Sequence, residues 1–240
     1  MIGIMQPYFL PYLGHLQLME KCEKWVIFDD IQFIDKGWIH RNKIAHPSKN
    51  KEFQFITIPL KNRSQKSLIS SLKIDDEQDW RETIKGKFSF YKRNAIYFNE
   101  AKDFLNQILD INSKSLSEFL YNQIIFINDY FNLKLNIVWQ SRDITSIRHS
   151  SQLKTDEWAI EIAKYCKNEK YINPETGIHL FDIKKFKKNR ISLYSFQPKM
   201  INYKNIKINL SLSILDTLAN LGYLKTLNFV RDGNIKLIQK

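Results

Sequence analysis

The stretch that decides the fold is Ile2-Gly-Ile-Met-Gln-Pro-Tyr-Phe-Leu-Pro-Tyr-Leu-Gly-His-Leu-Gln17, with the apolar run Trp25-Val-Ile-Phe28 shortly after it. The first apolar run ends at Pro7, and two prolines frame an extended or turning segment. From Tyr12 the apolar residues recur with a period near 3.6, which predicts a helix, and the second run is typical of a buried strand. Together they predict a β-α-β unit with two parallel strands.

The rest of the chain predicts additions to this unit. Strand-like stretches at Trp38–Ile44 and Phe53–Leu60 flank a turn-rich loop and predict a hairpin outside the main sheet. Residues from about 76 to 133 have helical periodicity, and strands and helices alternate again from Leu135 onward. A last helix is expected over Leu212–Asn220, closed by Gly222. We therefore predict one α/β domain over residues 1–240, with a mostly parallel sheet, a β excursion and a helical insertion.

Composition narrows the function without choosing one. Lys and Arg outnumber Asp and Glu by 37 to 25, a net charge of +12 that attracts the phosphates of nucleic acid, an anionic membrane surface or a nucleotide. No apolar run approaches the roughly 20 residues that span a bilayer, and the N-terminus lacks a signal peptide pattern, so we expect a cytoplasmic protein. Cys22 and Cys166 stand alone, which argues against a disulfide framework or a thiolate zinc site. The P-loop and dinucleotide fingerprints are absent.

Two clusters could carry chemistry at the start of the chain. Gly14-His15 begins the predicted helix, where an imidazole and free backbone N–H groups could meet nucleotide phosphates, as in nucleotidyl-transfer folds. A buried, hydrogen-bonded His15 is equally compatible with the pattern. Asp29-Asp30 follows the second strand, where carboxylates could hold Mg²⁺, accept a proton from an amine or cap a turn.

A third cluster surrounds Trp38. Polar donors concentrate near this indole, and an Arg fork beside an aromatic ring suits a phosphate or a sugar nucleotide, although an exposed hairpin edge looks similar. Its members are Gln32, Trp38, His40, Arg41, Asn42 and Lys43. In the later loop, Glu175 and His179 are four residues apart with no third ligand at a suitable spacing, so we expect no metal site.

Five blocks of this sequence resemble, in the same order, the blocks of the WbqC-like family. They are Met5-Gln-Pro-Tyr-Phe-Leu-Pro-Tyr-Leu-Gly-His-Leu-Gln17, Trp25-Val-Ile-Phe-Asp-Asp-Ile-Gln-Phe33, Gly37-Trp-Ile-His-Arg-Asn-Lys-Ile44, Thr57-Ile-Pro-Leu60 and Leu212-Ser-Ile-Leu-Asp-Thr-Leu-Ala-Asn-Leu-Gly222. Members are typically encoded with genes for bacterial O-antigen or other surface polysaccharides, and the resemblance implies a glycine (aminoacyl) transferase that acts on an amino sugar. Residues 173–182 differ from the glycine-rich loop of the family, which leaves the role of that loop open.

The resemblance and the clusters together predict an enzyme that forms an amide on the amine of a nucleotide-linked amino sugar, of dTDP type. The predicted catalytic residues are His15, Asp29 and Asp30, as candidate general bases. The predicted substrate-binding residues are Gln6, Tyr8, Tyr12, Gln32, Trp38, Arg41, Asn42 and Lys43. Within this set, Arg41 and Lys43 are expected to clamp the diphosphate.

The source of the activated glycine stays open. ATP with Mg²⁺ could activate glycine as an adenylate near His15, or a glycyl carrier such as tRNA, coenzyme A or a carrier protein could meet the basic surface. Two other functions compete with glycyl transfer. One is a nucleotidyltransferase-like enzyme of sugar activation, and the other is a non-catalytic nucleic-acid or assembly module.

Overall fold

Strands and helices alternate along most of the chain in a computed structural model. The structure describes residues 1–48, 50–64, 66–149, 153–199, 202–203, 206–207 and 212–238. Residues 202–203 and 206–207 are described by their backbone alone. The strands are β1 (Ile2–Met5), β2 (Lys24–Ile27), β3 (Arg41–Ala45), β4 (Phe53–Thr57), β5 (Leu60–Lys61), β6 (Lys73–Ile74), β7 (Asn136–Trp139), β8 (Lys170–Pro174), β9 (Ser192–Gln197), β10 (Asn202–Tyr203), β11 (Ile206–Lys207) and β12 (Asn234–Leu237). The α-helices are α1 (Leu13–Glu20), α2 (Trp80–Phe88), α3 (Tyr91–Asn94), α4 (Phe98–Leu109), α5 (Leu116–Tyr130), α6 (Gln140–Asp143), α7 (Thr155–Tyr165), α8 (Ile183–Lys188) and α9 (Ile214–Val230). Short 3-10 helices cover Ile69–Ser71 and Glu175–Leu180.

The main sheet has the strand order β12-β9-β8-β1-β2-β7. Every neighbouring pair is parallel except β12, which runs antiparallel to β9. The hairpin of β3 and β4 is separate from this sheet, and α2 to α5 lie between β6 and β7 in the chain. The predicted fold class, a mostly parallel α/β sheet that begins with a β-α-β unit and carries a β excursion and a helical insertion, is confirmed.

The order of the strands reverses beside β1. From β1 the chain moves to β2 and β7 on one side, and it then returns to β8 and β9 on the other side of β1. The connections leaving β1 and β8 therefore diverge, and a crevice opens between the carboxyl ends of these two strands. In open α/β sheets such a switch point is where ligands bind.

Helices cover both faces of the sheet. On one face α1, α9 and the inserted helices pack against Trp25 and Ile27, and on the other α7 and α8 pack against Val26 and Leu193. Because neighbouring residues of β2 point to opposite faces, its apolar run is buried on both sides, as expected for a parallel strand. Within the described residues, none of the helices has the length and apolar character needed to cross a bilayer.

The end of the chain departs from the prediction at Gly222. This residue adopts φ 70°, which breaks the helix as predicted, but helical structure resumes and α9 ends only at Val230. The ring of Tyr97 packs so closely on Gly222 that a Cβ there would lie 2.6 Å from a ring carbon, so a side chain is excluded by space as well as by φ. The second part of α9 and the edge strand β12 were both missing from the sequence prediction.

The turn between β1 and α1 is held by two buried amides. Leu10 has φ 44°, a left-handed conformation that is unfavourable for a branched side chain. Asn42 donates from Nδ2 to the carbonyl oxygens of Phe9 (3.0 Å) and Leu10 (2.8 Å). Gln123 accepts from the Leu10 N–H at 2.9 Å and donates to the carbonyl of Tyr8 at 2.8 Å. These hydrogen bonds pair the buried backbone N–H and C=O groups of the turn, which no helix or strand pairs.

Replacing Asn42 tests this clamp. Asn42→Ala leaves two buried carbonyl oxygens without their donor, so we expect the free energy of unfolding to fall by about 2–4 kcal/mol. Urea titration measures the change, with Asn99→Ala at an exposed position of α4 as the control. Equal stabilities of the two variants would show that the clamp is dispensable.

Candidate functional site

An open chamber of about 720 Å³ lies at the carboxyl edge of the sheet. We call it the outer chamber. Its walls come from the ends of β1 and β2, the segment after β2, and the connection that leads from β7 into α7. They include Gln6, Phe28, residues 31–36, His149, Thr155 and Trp158. Chains that leave neighbouring strand ends thus meet around one cavity.

A smaller chamber of about 230 Å³ adjoins the outer chamber between the ends of β1 and β8. We call it the inner chamber. Its own walls include Ile4, Tyr8, Tyr171, Asn173, Leu180 and Phe181. The two chambers share Gln6, Phe28, Ile31, Thr155 and Trp158, which we call the neck. The neck places the two chambers in one continuous cleft at the switch point.

The polar groups of the cleft are concentrated in the outer chamber and the neck. Lys36 and His149 are exposed there, while Asp35 pairs with Arg63 (Oδ1 to Nε, 3.2 Å). The side-chain amide of Gln6 makes no hydrogen bond to any residue that the structure describes, and it lines both chambers. A ligand in the cleft therefore meets the Gln6 amide at the neck, and the Lys36 ammonium and the His149 imidazole in the outer chamber.

Asp29 lies at the end of β2 but lines neither chamber. Its carboxylate is fully buried and accepts from the Trp139 Nε1–H (2.7 Å), from the Ser141 N–H (3.0 Å) and hydroxyl (2.6 Å), and from the Ser117 hydroxyl. These four donors fasten the end of β2 to the end of β7, to α6 and to α5. Asp29 thus holds the ends of β2 and β7 together at this edge of the sheet. Its predicted catalytic role remains a prediction.

Asp30 is also buried and lines neither chamber, but its carboxylate is bonded to the backbone of a wall residue. Its Oδ2 accepts from the His149 N–H at 2.9 Å, and its own N–H donates to the Gln140 side chain at 2.9 Å. Because the His149 imidazole lines the outer chamber, Asp30 helps to hold that imidazole in place. Of the three predicted catalytic residues, Asp30 is the one bonded to a residue of the cleft wall.

His15 is buried in an aromatic cage. Its ring centre lies 5.1 Å from that of Tyr8 and 5.2 Å from that of Trp25, and its Nε2 has no hydrogen-bond partner within the described residues. Burial lowers the pKa of His15 to about 3, so the imidazole is neutral at physiological pH. His15 thus contacts the inner chamber only through Tyr8, and its predicted role as a base remains untested.

Glycine at position 14 is required by packing. A Cβ on Gly14 would come within 2.6 Å of the Tyr12 ring and 3.0 Å of Pro198. Tyr12 itself immediately precedes α1 and forms an isolated β-bridge with Ser213. The start of α1 is therefore enclosed by protein at Gly14.

The predicted diphosphate clamp lies on the hairpin, outside both chambers. Arg41 donates to the carbonyls of Lys36 (2.7 Å) and Gly37 (3.2 Å). The Lys43 ammonium lies 3.9 Å from the ring centre of Phe53 and 5.1 Å from that of Trp38. Arg41 therefore supports the segment that carries Lys36 to the outer chamber, while Lys43 forms cation–π contacts.

The structure brings together some of the predicted residues and separates the others. Gln6, Tyr8 and Gln32 line the cleft. Asn42 clamps the turn, and Tyr12, Trp38, Arg41 and Lys43 lie elsewhere. Sequence reasoning missed Lys36, His149, Thr155, Trp158 and Phe181, of which Lys36 could have been found from its position after β2, since strand ends point to the ligand edge.

Metal ligands are not clustered in the part of the chain that the structure describes. No group of three or more His, Cys, Asp or Glu side chains is close enough there to hold an ion.

The WbqC-like protein family matches residues 6–226, so the chain belongs to this family. An uncharacterised protein of Mycobacterium tuberculosis, Rv1507c, is 28% identical over 109 residues, which is 45% of this chain and 45% of that protein. The match thus spans less than half of the length of this relative. No solved structure matches the chain.

The buried imidazole of His15 predicts a pH effect on stability. Between pH 6.5 and about 3 the unfolded chain protonates this group while the folded chain does not, so the free energy of unfolding falls as the pH falls, by at most about 1.4 kcal/mol per pH unit. His15→Phe removes this contribution and keeps an aromatic ring in the cage. We expect the variant to lose less stability than the wild type between neutral pH and about pH 5 in urea titrations. Parallel losses in the two proteins would contradict the assignment.

Proposed function

We propose that this chain is a cytoplasmic transferase of O-antigen or other surface-polysaccharide biosynthesis that joins a glycyl group to the amine of a nucleotide-linked amino sugar, of dTDP type. The observation that carries the proposal is the two-chambered cleft at the switch point of the sheet. Membership of the WbqC-like family supports it, through the association of that family with polysaccharide genes.

The dimensions and lining of the cleft suit a nucleotide-linked sugar. Binding sites for small molecules commonly occupy about 300–1,000 Å³ and combine apolar walls with a few polar groups. At the neck the rings of Phe28 and Trp158 meet edge to face at 5.3 Å, and such rings can pack on a base or on the C–H face of a sugar. Lys36 and His149 supply donors for a diphosphate in the outer chamber.

The first turn of α7 contributes to the same wall. This helix begins at Thr155, a residue of the neck, so the positive end of its dipole is directed toward the cleft. Asp156 and Glu157 in that turn both pair with Lys185, at 2.9 Å and 3.0 Å. Because one ammonium serves two carboxylates, this turn keeps a negative charge, and we place the diphosphate nearer to Lys36.

Amide formation requires the sugar amine to lose a proton as its nitrogen attacks the activated glycyl carbonyl. We propose Asp30 as the proton acceptor because its carboxylate lies directly behind the wall of the outer chamber, bonded to the His149 backbone; the His149 imidazole, which lines the chamber itself, is the second candidate. The predicted roles of His15 and Asp29 are kept as hypotheses for the same assay. Glycine would arrive as an adenylate formed from ATP and Mg²⁺, or on a carrier such as tRNA, and the bond from its carbonyl carbon to AMP or to the carrier breaks as the amide forms.

The assay follows the two products of the proposed reaction. The protein is incubated with a dTDP-linked amino sugar and glycine, together with either ATP and Mg²⁺ or glycyl-tRNA. We expect a sugar nucleotide heavier by one glycyl residue in mass spectra, and in the ATP reaction a pyrophosphate release that requires glycine. Pyrophosphate release that requires a sugar phosphate and not glycine would instead establish nucleotidyl transfer. Salt-sensitive binding of generic RNA without any product would favour a nucleic-acid module.

Variants at Asp30 and His149 locate the base. Asp30→Asn still accepts the hydrogen bond from the His149 backbone, so the wall stays in place while the rate should fall by about 10²- to 10⁴-fold with little change in KM. His149→Gln is measured alongside it. The control is Asp76→Asn, on the surface ion pair with Arg81. If Asp30→Asn retains the wild-type rate and His149→Gln does not, the assignment passes to His149.

A further inference from the structure

The inner chamber is lined mainly by aromatic and aliphatic side chains, with Gln6, Tyr8 and Thr155 among its polar residues. The rings of Tyr8, Phe28, Trp158 and Phe181 all contribute to its walls. The polar atoms of its far wall are already paired, because the Tyr171 hydroxyl donates to Asn173 Oδ1 at 3.0 Å and Asn173 Nδ2 donates to the Pro174 carbonyl at 3.1 Å. A ligand group that enters this chamber therefore loses water without gaining partners from the Tyr171–Asn173 pair.

This chemistry discriminates between the parts of a nucleotide-linked sugar. A sugar ring carries hydroxyl groups in several directions, and burying them against paired or apolar walls is unfavourable. A diphosphate is excluded still more strongly because of its charge. Thymine has two apolar π faces, and its O2, N3–H and O4 lie next to one another in the ring plane, so it fits between aromatic walls provided that this edge meets a partner.

The neck supplies that partner. The Gln6 amide, which has no hydrogen-bond partner among the residues that the structure describes, offers an acceptor oxygen and a donor nitrogen side by side. Adjacent donor and acceptor atoms are what an amide side chain pairs with on a base edge. The inner chamber, at about 230 Å³, also has room for one base.

We infer that the inner chamber binds the nucleobase of the nucleotide-linked sugar, with its edge hydrogen-bonded to the Gln6 amide. The diphosphate then passes the neck toward Lys36, and the amino sugar lies in the outer chamber beside His149. This inference rests on the proposed function, since it assigns the orientation of the same substrate. It also predicts that the base contributes much of the affinity.

Photocrosslinking tests the orientation directly. The probe is 4-thiothymidine diphosphate, whose thiocarbonyl reacts with nearby side chains on irradiation, and mass spectrometry locates the modified peptides. We expect modification of the stretch from Tyr171 to Phe181, which lines the inner chamber and not the outer one. Bound probe that modifies only residues 32–36 or His149 would overturn the inference, because the base would then lie in the outer chamber.

A substitution that narrows the inner chamber gives an independent measurement. Leu180 lines the inner chamber and is 52% exposed, so Leu180→Trp should fold normally while it occupies space in that chamber. We expect calorimetry to show about 10- to 100-fold weaker binding of dTDP, and a similar loss for Gln6→Leu, with the affinity for inorganic pyrophosphate unchanged. The matched control is Leu224→Trp, on an α9 residue that is 74% exposed and lines neither chamber. Unchanged dTDP affinity in Leu180→Trp would overturn the inference.

Failure of this inference and failure of the proposed function have different signatures. Glycyl transfer with the base crosslinked in the outer chamber would leave the function standing and remove the orientation. Base binding in the inner chamber without glycyl transfer would support the inferred orientation and contradict the proposed reaction. Absence of any dTDP binding would remove both.

Discussion

The reversal of strand order beside β1 is the constraint on which the rest of the molecule depends. All parallel strands present their carboxyl ends at one edge, and the connections that leave β1 and β8 run to opposite sides of the sheet. Since neither connection covers the space between those strand ends, a cleft remains there. Its lining is set by whichever residues follow each strand, which is why Gln6 after β1 and Phe28 after β2 meet at the neck.

Buried polar groups around the cleft mainly hold backbone in place. The Asp29 carboxylate collects four hydrogen bonds from three elements, and Asn42 and Gln123 pair the backbone of the turn that follows β1. Such groups are costly to bury unless they are fully paired, and once paired they define a single arrangement of the chain. A rigid edge of this kind can present Gln6, Lys36 and His149 at constant positions, which a binding site for a sugar nucleotide requires.

The predictions that the structure confirms rest on short-range interactions, whereas the residues of the cleft are brought together by long-range ones. The order of strands and helices, the hairpin and the break at Gly222 follow from local periodicity and backbone preferences, and the structure agrees with them. The site was harder to predict because a polar residue beside a strand end can point into the cleft or back to the protein. Gln32 does the first, whereas Arg41 donates to two backbone carbonyls of its own loop. His149 and Trp158 are distant from β1 in sequence and reach the cleft only through the crossover to β8.

By itself the sequence determined the α/β class, the opening β-α-β unit and the family resemblance, because apolar periodicity, prolines and glycines act within a few residues of one another. Tertiary structure decided which polar residues line the cleft. The packing of α1 buries His15 among aromatic rings and keeps it neutral, and the donors on α5, α6 and β7 enclose Asp29. Whether a side chain is buried or open to solvent depends on elements far away in the chain, so local pattern alone does not determine it.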